Sequence, residues 1–277
     1  MAPPEPGTRL IFNADDFGRS RTINEAVVQA HREGVLTSAS LMVNEEAFDE
    51  AVELARQNPN LGIGLHLTLI CGHSSLERAG IPGLVNEHRE FTNNPVSAGF
   101  RYFWCKSLRK QITEEMSAQF RKFKSTGLML DHVNGHLHLH LHPVVFSILM
   151  EHAAEWGITR MRWTRDPFWL NARLVRGKWL YRMLHAGIYQ VLSSKARGAL
   201  AQKKIAHTSW VFGLLQNEKV DETYLLKLLP ALPRGDFEIF SHPSTSRYRN
   251  ELDGLLSPAV RSLAKKLNHR LIRYQDL

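Results

Sequence analysis

Two adjacent aspartates, Asp15 and Asp16, stand directly after the first apolar run of the chain. Neighbouring carboxylates repel each other unless a cation or a proton relieves the repulsion. Because successive side chains of an extended segment point to opposite sides, the two acids can perform different chemistry. An Asx-turn or a helix N-cap is an equally good reading of Asp-Phe-Gly at a strand-to-helix turn. Taken alone, the pair leaves a metal site and a structural turn open.

Histidines provide two further signals. His66 ends a glycine-flanked apolar segment at residues 62–68, where burial of an imidazole is costly without a partner. Four more histidines alternate with leucine, and they are His136, His138, His140 and His142. In an extended chain this alternation places the imidazoles on one face. Alternate residues of a strand lie roughly 6–7 Å apart, so one of these histidines, or at most two neighbours, can bind a single ion.

One aspartate and two histidines from three strand ends together predict a metal site. Three such ligands leave coordination positions open for water and substrate, as catalytic metals require. The donor set suits one divalent ion, with Zn²⁺ or Mg²⁺ favoured and Mn²⁺ or Co²⁺ also admitted. Each feature has its own structural reading, namely a turn, a hydrogen-bonded core histidine and a solvated strand face. Because all three occur in one chain, we favour a catalytic metal site over three separate structural roles.

The elements that must position these residues alternate between strand and helix. This alternation predicts an α/β fold with a parallel sheet of about seven or eight βα units. Polar residues cluster just beyond successive strand ends, which favours a distorted TIM-like (β/α) barrel over an open sheet. We expect a single domain at residues 9–277, preceded by a disordered tail at 1–8. Residues 84–107 are predicted to be loop-like, 128–141 extended, and 158–163 a further strand.

The net charge of +8 is concentrated in one part of the 277-residue chain. Between residues 159 and 210, eleven lysines and arginines face a single acid, Asp166. The two cysteines offer no disulfide framework, the first residues lack the features of a secretion signal, and no apolar run reaches the roughly 18 residues of a membrane span. These features predict a cytoplasmic protein whose basic surface is confined to one segment.

Four motifs occur in the order found in the YdjC/ChbG family of carbohydrate deacetylases, which the chain resembles. They are Asn-Ala-Asp-Asp-Phe-Gly from Asn13, Gly-Leu-His-Leu-Thr-Leu from Gly64, Asn-Gly-His-Leu-His-Leu-His from Asn134, and Ser241-His242-Pro243. The resemblance continues to the closing segment Leu271–Leu277. It implies a distorted β/α barrel that binds one divalent cation and removes acetyl groups from N-acetylated sugars.

The resemblance also implies roles for individual residues. Asp15 corresponds to the general base, while Asp16, His66 and His136 correspond to the metal ligands. One departure concerns Asn134, since many family members carry Asp-Ser where this chain has Asn-Gly. A carboxamide in place of a carboxylate behind the metal ligands is expected to weaken metal binding.

The reaction also needs a general acid to protonate the leaving amine. His242, which follows the predicted strand at 237–241, is the first candidate and His138 is the second. Arg162 and Arg165 come at the end of another predicted strand. We assign these arginines to substrate binding; orientation of a catalytic carboxylate and an ordinary surface position are the alternatives.

Residues 164–206 form a predicted basic and aromatic helical insertion. On a helical wheel, one apolar stripe is suited to packing on the barrel; it comprises Leu170, Leu174, Tyr181, Leu184 and Ile188. A second apolar stripe with adjacent cations predicts contact with an anionic membrane surface. The residues assigned to that contact are Phe168, Trp169, Val175, Trp179, Lys178 and Arg182. Nucleic acid is the rival partner, but no known binding motif supports it.

Within the family, the basic aromatic segment is similar to the hopanoid-biosynthesis (HpnK-like) branch. That resemblance implies conversion of an N-acetylglucosaminyl hopanoid to glucosaminyl hopanoid and acetate, by an enzyme lying peripherally on the inner membrane face. The alternatives are a soluble chito-oligosaccharide deacetylase and a non-enzymatic, basic peripheral-membrane protein that binds metal. A metal-dependent phosphoesterase or amidohydrolase would need further ligands, usually a His-x-His on the first strand, where this chain has Asp-Asp.

Overall fold

The structure is a computed structural model that describes residues 7–277. Within this range, seven parallel strands form one curled sheet in the order β4-β3-β2-β1-β6-β5, with β7 beside β1. The strands are β1 (Arg9–Phe17), β2 (Ser38–Leu41), β3 (Gly62–Leu67), β4 (Val133–Gly135), β5 (Trp210–Phe212), β6 (Asp236–Ser241) and β7 (Arg270–Leu271). The predicted α/β fold with a parallel sheet is confirmed.

Helices cover the sheet because their apolar stripes need a partner surface. In the first helix, Ala26, Val27 and Ala30 recur at helical spacing, and all three are fully buried. The helices are α1 (Arg21–Glu33), α2 (Phe48–Arg56), α3 (Pro95–Trp104), α4 (Leu108–Ser125), α5 (Pro143–His152), α6 (Phe168–Leu174), α7 (Trp179–Gln202), α8 (Glu222–Leu228), α9 (Arg249–Leu256) and α10 (Pro258–Lys266). Helix α3 lies inside the segment predicted to be a loop, so that prediction is wrong there.

The sheet is a curled half-barrel, a shape compatible with a distorted TIM-like barrel. The backbone at residues 159–165 lies between its β4 and β5 edges. The N–H of Arg162 donates to the carbonyl of Val133 in β4 over 3.0 Å. On the other side, the N–H of Val211 in β5 donates to the carbonyl of Arg165, also over 3.0 Å. The strand predicted at 158–163 is thus reduced to isolated parallel bridges.

The segment predicted to be extended over 128–141 is mostly not a strand. Only Val133–Gly135 pairs with β3, and a 3-10 turn follows at His136–Leu141. Leu137 and His138 adopt positive φ values of 50° and 56°, a region that side-chain-bearing residues seldom occupy. These two residues turn the chain, so the prediction that four imidazoles share one strand face is wrong.

Residues 164–206 contain two helices, because the chain breaks between α6 and α7. Lys178 precedes α7 with a φ of 50°, and the break invalidates a wheel drawn through both helices. Tyr181, Leu184 and Ile188 were predicted to pack on the barrel, but 40–55% of each is exposed. Among residues 7–277, no helix is both long and apolar enough to cross a membrane.

The predicted tail at 1–8 falls mainly outside the described residues. Of its described members, Thr8 is buried, and its hydroxyl donates to the carbonyl of Pro233 over 3.0 Å.

Candidate active site

The end of β1 brings both aspartates to one place. The pairing of β1 with β2 shifts register between Ala14 and Phe17, and Asp16 has a φ of 65°. Such a bulge re-aims side chains that an ordinary strand would send to opposite faces. Asp15 Oδ1 lies 3.9 Å from His66 Nδ1, and Asp16 Oδ1 lies 3.3 Å from His66 Nε2. The two acids therefore share one imidazole as a neighbour.

Asp16, His66 and His136 form the predicted cluster of metal ligands. Their ligand atoms all lie within 4.8 Å of one another, and all three residues are buried. His136 Nδ1 lies 3.0 Å from Asp16 Oδ1 and 3.3 Å from His66 Nε2. The residues come from the ends of β1, β3 and β4, which meet at the same edge of a parallel sheet.

The chemistry of these donor atoms fits a divalent cation. Asp16 Oδ1 is buried and has no hydrogen-bond partner of acceptable geometry. The Nδ1 of His66 lies 2.7 Å from the Oδ1 of Asn134, an oxygen that only accepts, so Nδ1–H donates and Nε2 is left with its lone pair. Burial would raise the pKa of Asp16, but His136 and His66 lower it well below its usual range. An ionised carboxylate and a free imidazole lone pair are what a cation needs.

Asn134 performs the orienting role for which a carboxylate was expected. Its oxygen holds the His66 ring, while its Nδ2 donates to Asp15 Oδ1 over 3.2 Å and to Ser40 Oγ over 2.8 Å. A carboxylate at this position would have no N–H to give Asp15. The carboxamide thus links a metal ligand to the predicted general base, and its effect on metal affinity stays a prediction.

A buried ion network holds Asp15 in place. The guanidinium of Arg162 donates to both oxygens of Asp15, over 2.7 and 2.8 Å, and also to Glu238 over 2.6 Å. Arg162 has no exposed surface, and Asp15 is 2% exposed. The hydroxyl of Tyr274 donates to the second oxygen of Glu238. One buried cation is therefore shared between two buried carboxylates.

This network sets the protonation state of Asp15. Burial would raise the pKa of Asp15, but the charges of Arg162 and His66 hold it well below its usual range. Asp15 Oδ1 accepts from Asn13, Asn134 and Arg162, whereas Oδ2 accepts only from Arg162. Oδ2 therefore retains capacity for one more hydrogen bond.

Asp15 and His66 open into a pocket of about 200 Å³. Both candidate general acids, His138 and His242, also line it. Burial and the charge of Arg162 lower the pKa of His138 well below its usual range, so its imidazole is neutral at neutral pH. His242 Nδ1 lies 4.0 Å from a carboxylate oxygen of the buried Glu251.

The other two histidines of the tract have structural partners. The Nε2 of His140 hydrogen-bonds the carbonyl of Arg162 over 3.1 Å, and burial lowers the pKa of His140 to about 3. The Nε2 of His142 hydrogen-bonds the carbonyl of Gly99 in α3, also over 3.1 Å. One histidine of the tract thus joins the aspartate–histidine cluster, one faces the pocket, and two hydrogen-bond the backbone.

Three residues predicted to contact substrate or membrane lie away from the pocket lining or from the surface. Arg162 has no exposed surface and donates to both oxygens of Asp15, a position that favours the alternative role of orienting a carboxylate. Arg165 hydrogen-bonds Gln190 and lies 5.5 Å over the Trp163 ring, away from the pocket lining. Arg182, assigned to membrane contact, is only 6% exposed. The remaining five residues of that assignment are partly or fully exposed, and they are Phe168, Trp169, Val175, Lys178 and Trp179.

Sequence reasoning missed Glu238 and Tyr274. Glu238 is a fully buried acid in the middle of the apolar run Phe237–Phe240, where an unpaired charge would be prohibitively costly. That pattern was a usable signal that a buried cation must face it. Tyr274 offered no comparable signal, since an aromatic near the chain end is unremarkable.

Comparison with known proteins places the chain in a family. Residues 9–266 match the sequence model of the family described as YdjC-like protein. The chain belongs to the YdjC-like family. The match includes every residue of the aspartate–histidine cluster and of the pocket described above.

Curated relatives of this chain are named carbohydrate deacetylases. One from Brevibacillus brevis is 40% identical over 150 residues, 54% of this chain and 57% of the relative. One from Vibrio campbellii is 35% identical over 152 residues, 54% of this chain and 57% of the relative. The chain spans little more than half the length of the curated relatives it matches.

A solved structure has the same fold over the whole chain. It is a protein of Enterococcus faecalis V583 named for cellobiose-phosphate cleavage, with a TM-score of 0.75 and 23% identity, and 98% of each chain is covered. At that identity the likeness supports the fold alone.

Proposed function

We propose that this YdjC-like protein is a metal-dependent de-N-acetylase that acts on an N-acetylglucosaminyl group. The observation that carries the proposal is the placement of Asp15 in the pocket directly beside Asp16, His66 and His136. The names of the relatives support the choice of an amide bond on a carbohydrate. A phosphoesterase or other amidohydrolase would need further ligands, and within residues 7–277 no additional cluster of metal-binding side chains occurs.

The division of labour follows from the contacts. Asp16, His66 and His136 would hold the cation, which supplies Lewis-acid polarisation of a carbonyl and increased acidity of a water. Asp15 accepts the proton of the attacking water at Oδ2, its less occupied oxygen. Arg162 and Asn134 keep the carboxylate at a fixed position throughout, since both donate to it from buried sites.

His242 is the better placed general acid for the leaving amine. A neutral imidazole at His138 can donate only by becoming an anion, whereas His242 has a buried carboxylate nearby to orient it. We expect His242→Gln to lower kcat for an N-acetyl sugar by about 10²-fold, and His138→Gln by less than about tenfold. Steady-state rates of acetate release measure both variants. A larger loss in His138→Gln than in His242→Gln would reverse the assignment.

Exposed apolar helices on both sides of the pocket support an amphiphilic substrate. Pro95 of α3 and Tyr181 of α7 both line the pocket. Beyond them, each helix exposes large apolar side chains, which monomeric soluble proteins rarely gather in patches. They are Val96, Phe100, Phe103 and Trp104 on α3, and Trp179, Leu180, Met183, Leu184, Ile188 and Val191 on α7. We therefore propose a hopanoid glycolipid as the substrate and a peripheral position on the inner membrane face.

Acetate release from two substrates, measured in parallel, tests the proposal. N-acetylglucosaminyl hopanoid in vesicles and soluble chitobiose are given to the protein as purified, after chelation, and after metal restoration. We expect acetate from the glycolipid, loss of activity on chelation, and recovery with Zn²⁺, Mg²⁺, Mn²⁺ or Co²⁺. Efficient cleavage of chitobiose without activity on the glycolipid would favour the soluble chito-oligosaccharide deacetylase. No acetate from either substrate under any metal would leave the non-enzymatic alternative.

A further inference from the structure

A second cavity of about 220 Å³ adjoins the active-site pocket at the start of α7. Tyr181 and Asn217 line both spaces. This α7 cavity lies between the break that separates α6 from α7 and the loop at residues 215–219. None of the catalytic roles proposed above uses it.

The lining of the α7 cavity is strongly basic. It contains four cations and one carboxylate, and these are Arg176, Lys178, Arg182, Lys219 and Glu218. The carboxylate of Glu218 already accepts a hydrogen bond from the hydroxyl of Tyr248 over 3.0 Å. A space with this excess of cations favours an anionic ligand.

Arg182 is a buried cation whose hydrogen bonds go to neutral oxygens. Its guanidinium donates to the carbonyls of Val175 and Leu215, over 2.7 and 3.2 Å, and to Gln216 Oε1 over 3.2 Å. Burial raises the pKa of the nearby carboxyl of Asp166 to about 7, although the charge of Arg182 acts to lower it. The positive charge of Arg182 is thus only partly compensated within the protein.

Besides Arg182, the α7 cavity has two further groups of N–H donors, one on Gln216 and one at the start of α7. Gln216 lines the cavity and is 3% exposed, and its Nε2 finds no acceptor among residues 7–277. The 24-residue helix α7 begins at Trp179 without a side-chain cap and without an acid in its first turn. The first N–H groups of a helix have no intrahelical acceptor and favour anions such as phosphate.

We propose that the α7 cavity binds the phosphate of an anionic phospholipid headgroup, which seats the start of α7 on a bilayer. The choice of a bilayer rests on the glycolipid substrate proposed above. Trp179 and Leu180, exposed by 55% and 65%, directly follow the cationic Lys178. Aromatic and apolar side chains beside cations suit the boundary between headgroups and acyl chains. Seated in this way, the protein holds its active-site pocket, which shares Tyr181 and Asn217 with the α7 cavity, close to the membrane that carries the substrate.

Vesicle flotation of the full-length protein tests this site. We expect binding to phosphatidylcholine vesicles that contain phosphatidylglycerol and little binding to phosphatidylcholine alone. The double variant Lys178→Gln with Lys219→Gln should bind the anionic vesicles about thirtyfold more weakly, because each cation near a surface contributes roughly a factor of five. Both side chains are exposed, so the variant should fold.

A control double variant on the same helix distinguishes binding at the α7 cavity from general electrostatic attraction to the vesicle. Lys195 and Arg197 are exposed and lie about 24 Å or more along α7 from its start. Their replacement by glutamine removes the same charge, and we expect less than a threefold effect because the distance exceeds the Debye length. Equal losses in the two double variants would overturn the proposal, as would equal binding to neutral and anionic vesicles.

Gln216→Glu provides a second variant confined to the cavity. It keeps the shape and the Arg182 contact but replaces an unpartnered donor with an anion, so we expect at least a tenfold loss of anionic-vesicle binding. Unchanged binding would overturn the site. Acetate release by the unaltered protein, measured on soluble chitobiose and on the glycolipid, separates the two proposals. Acetate without selectivity for anionic vesicles defeats the headgroup site alone, whereas selective binding without acetate defeats the deacetylase proposal alone.

Discussion

Replacing Asp15 with asparagine is expected to lower kcat for N-acetyl hydrolysis by about 10³-fold while leaving the metal content unchanged. Asparagine preserves the shape of the side chain but cannot accept a proton at the position of Oδ2. The proposed metal ligands Asp16, His66 and His136 are not altered, and Asn134 still holds the His66 ring. Acetate release and elemental analysis of the same sample measure the two effects together.

The neighbouring substitution Asp16→Asn is the control for Asp15→Asn. It replaces the buried, ionised carboxylate with a neutral carboxamide, which is a much weaker ligand for a cation, so it should release the metal and abolish turnover together. The contrast between the two variants assigns one acid to proton transfer and the other to the cation. If Asp15→Asn retained more than a tenth of the wild-type rate, or lost its metal as Asp16→Asn does, that division of roles would be wrong.

The aspartate–histidine cluster was predictable because it depends on strand ends. Asp16 and His66 lie in the last two residues of β1 and β3, and His136 directly follows β4; the carboxyl ends of such parallel strands meet at one edge. Which histidine of the tract reaches the cluster was not visible from its alternation with leucine. Alternation of histidine with leucine predicts a strand. In the fold, however, the positive φ values at Leu137 and His138 turn the chain, so the imidazoles no longer lie on one face.

The helices around the pocket were less predictable, for a different reason. Two asparagines and a proline at 93–95 indicated a turn, but Asn94 caps α3 by accepting from the N–H of Ser97. Asparagine and proline are common both in turns and at helix N-termini, so the sequence did not distinguish a loop from helix α3. In the basic segment, the periodicity of apolar residues was real, but a left-handed Lys178 resets the phase between α6 and α7. The α7 cavity depends on this break between α6 and α7.

The role of Arg162 shows the limit of reading charges from sequence. An arginine after a strand is more often exposed than buried, and its partners Asp15 and Glu238 lie 147 and 76 residues away along the chain. Of the Arg162–Glu238 pair, only Glu238 could be recognised from the sequence, because it interrupts an apolar strand. Combining the two charges would have predicted a buried bridge, with Asp15, the proposed general base, as its third member.

Arg162→Met is expected to destabilise the protein by about 3–5 kcal/mol, because it leaves two buried carboxylates without their cation. The control is Arg165→Met, which removes an equal charge from a partly exposed side chain and should cost less than about 1 kcal/mol. Chemical unfolding at neutral pH compares the two variants. Similar losses would show that the Asp15–Arg162–Glu238 bridge contributes no more than a surface arginine.

The pH dependence of Arg162→Met tests the cause of the effect. In the wild type, Arg162 lowers the pKa of Asp15 in the folded state, so the ionised acid stabilises the fold above about pH 4, and this contribution is lost as the pH falls. Without the guanidinium, the pKa of Asp15 should rise, because burial then acts against fewer compensating charges. The difference in unfolding free energy between the two proteins should therefore be largest at neutral pH and shrink toward acid. The acid limb of kcat/KM should move to higher pH in the variant, because a protonated Asp15 cannot act as a base. A gap in stability that stays constant from pH 7 to pH 4 would mean that lost packing, and not the charge of Arg162, explains the effect.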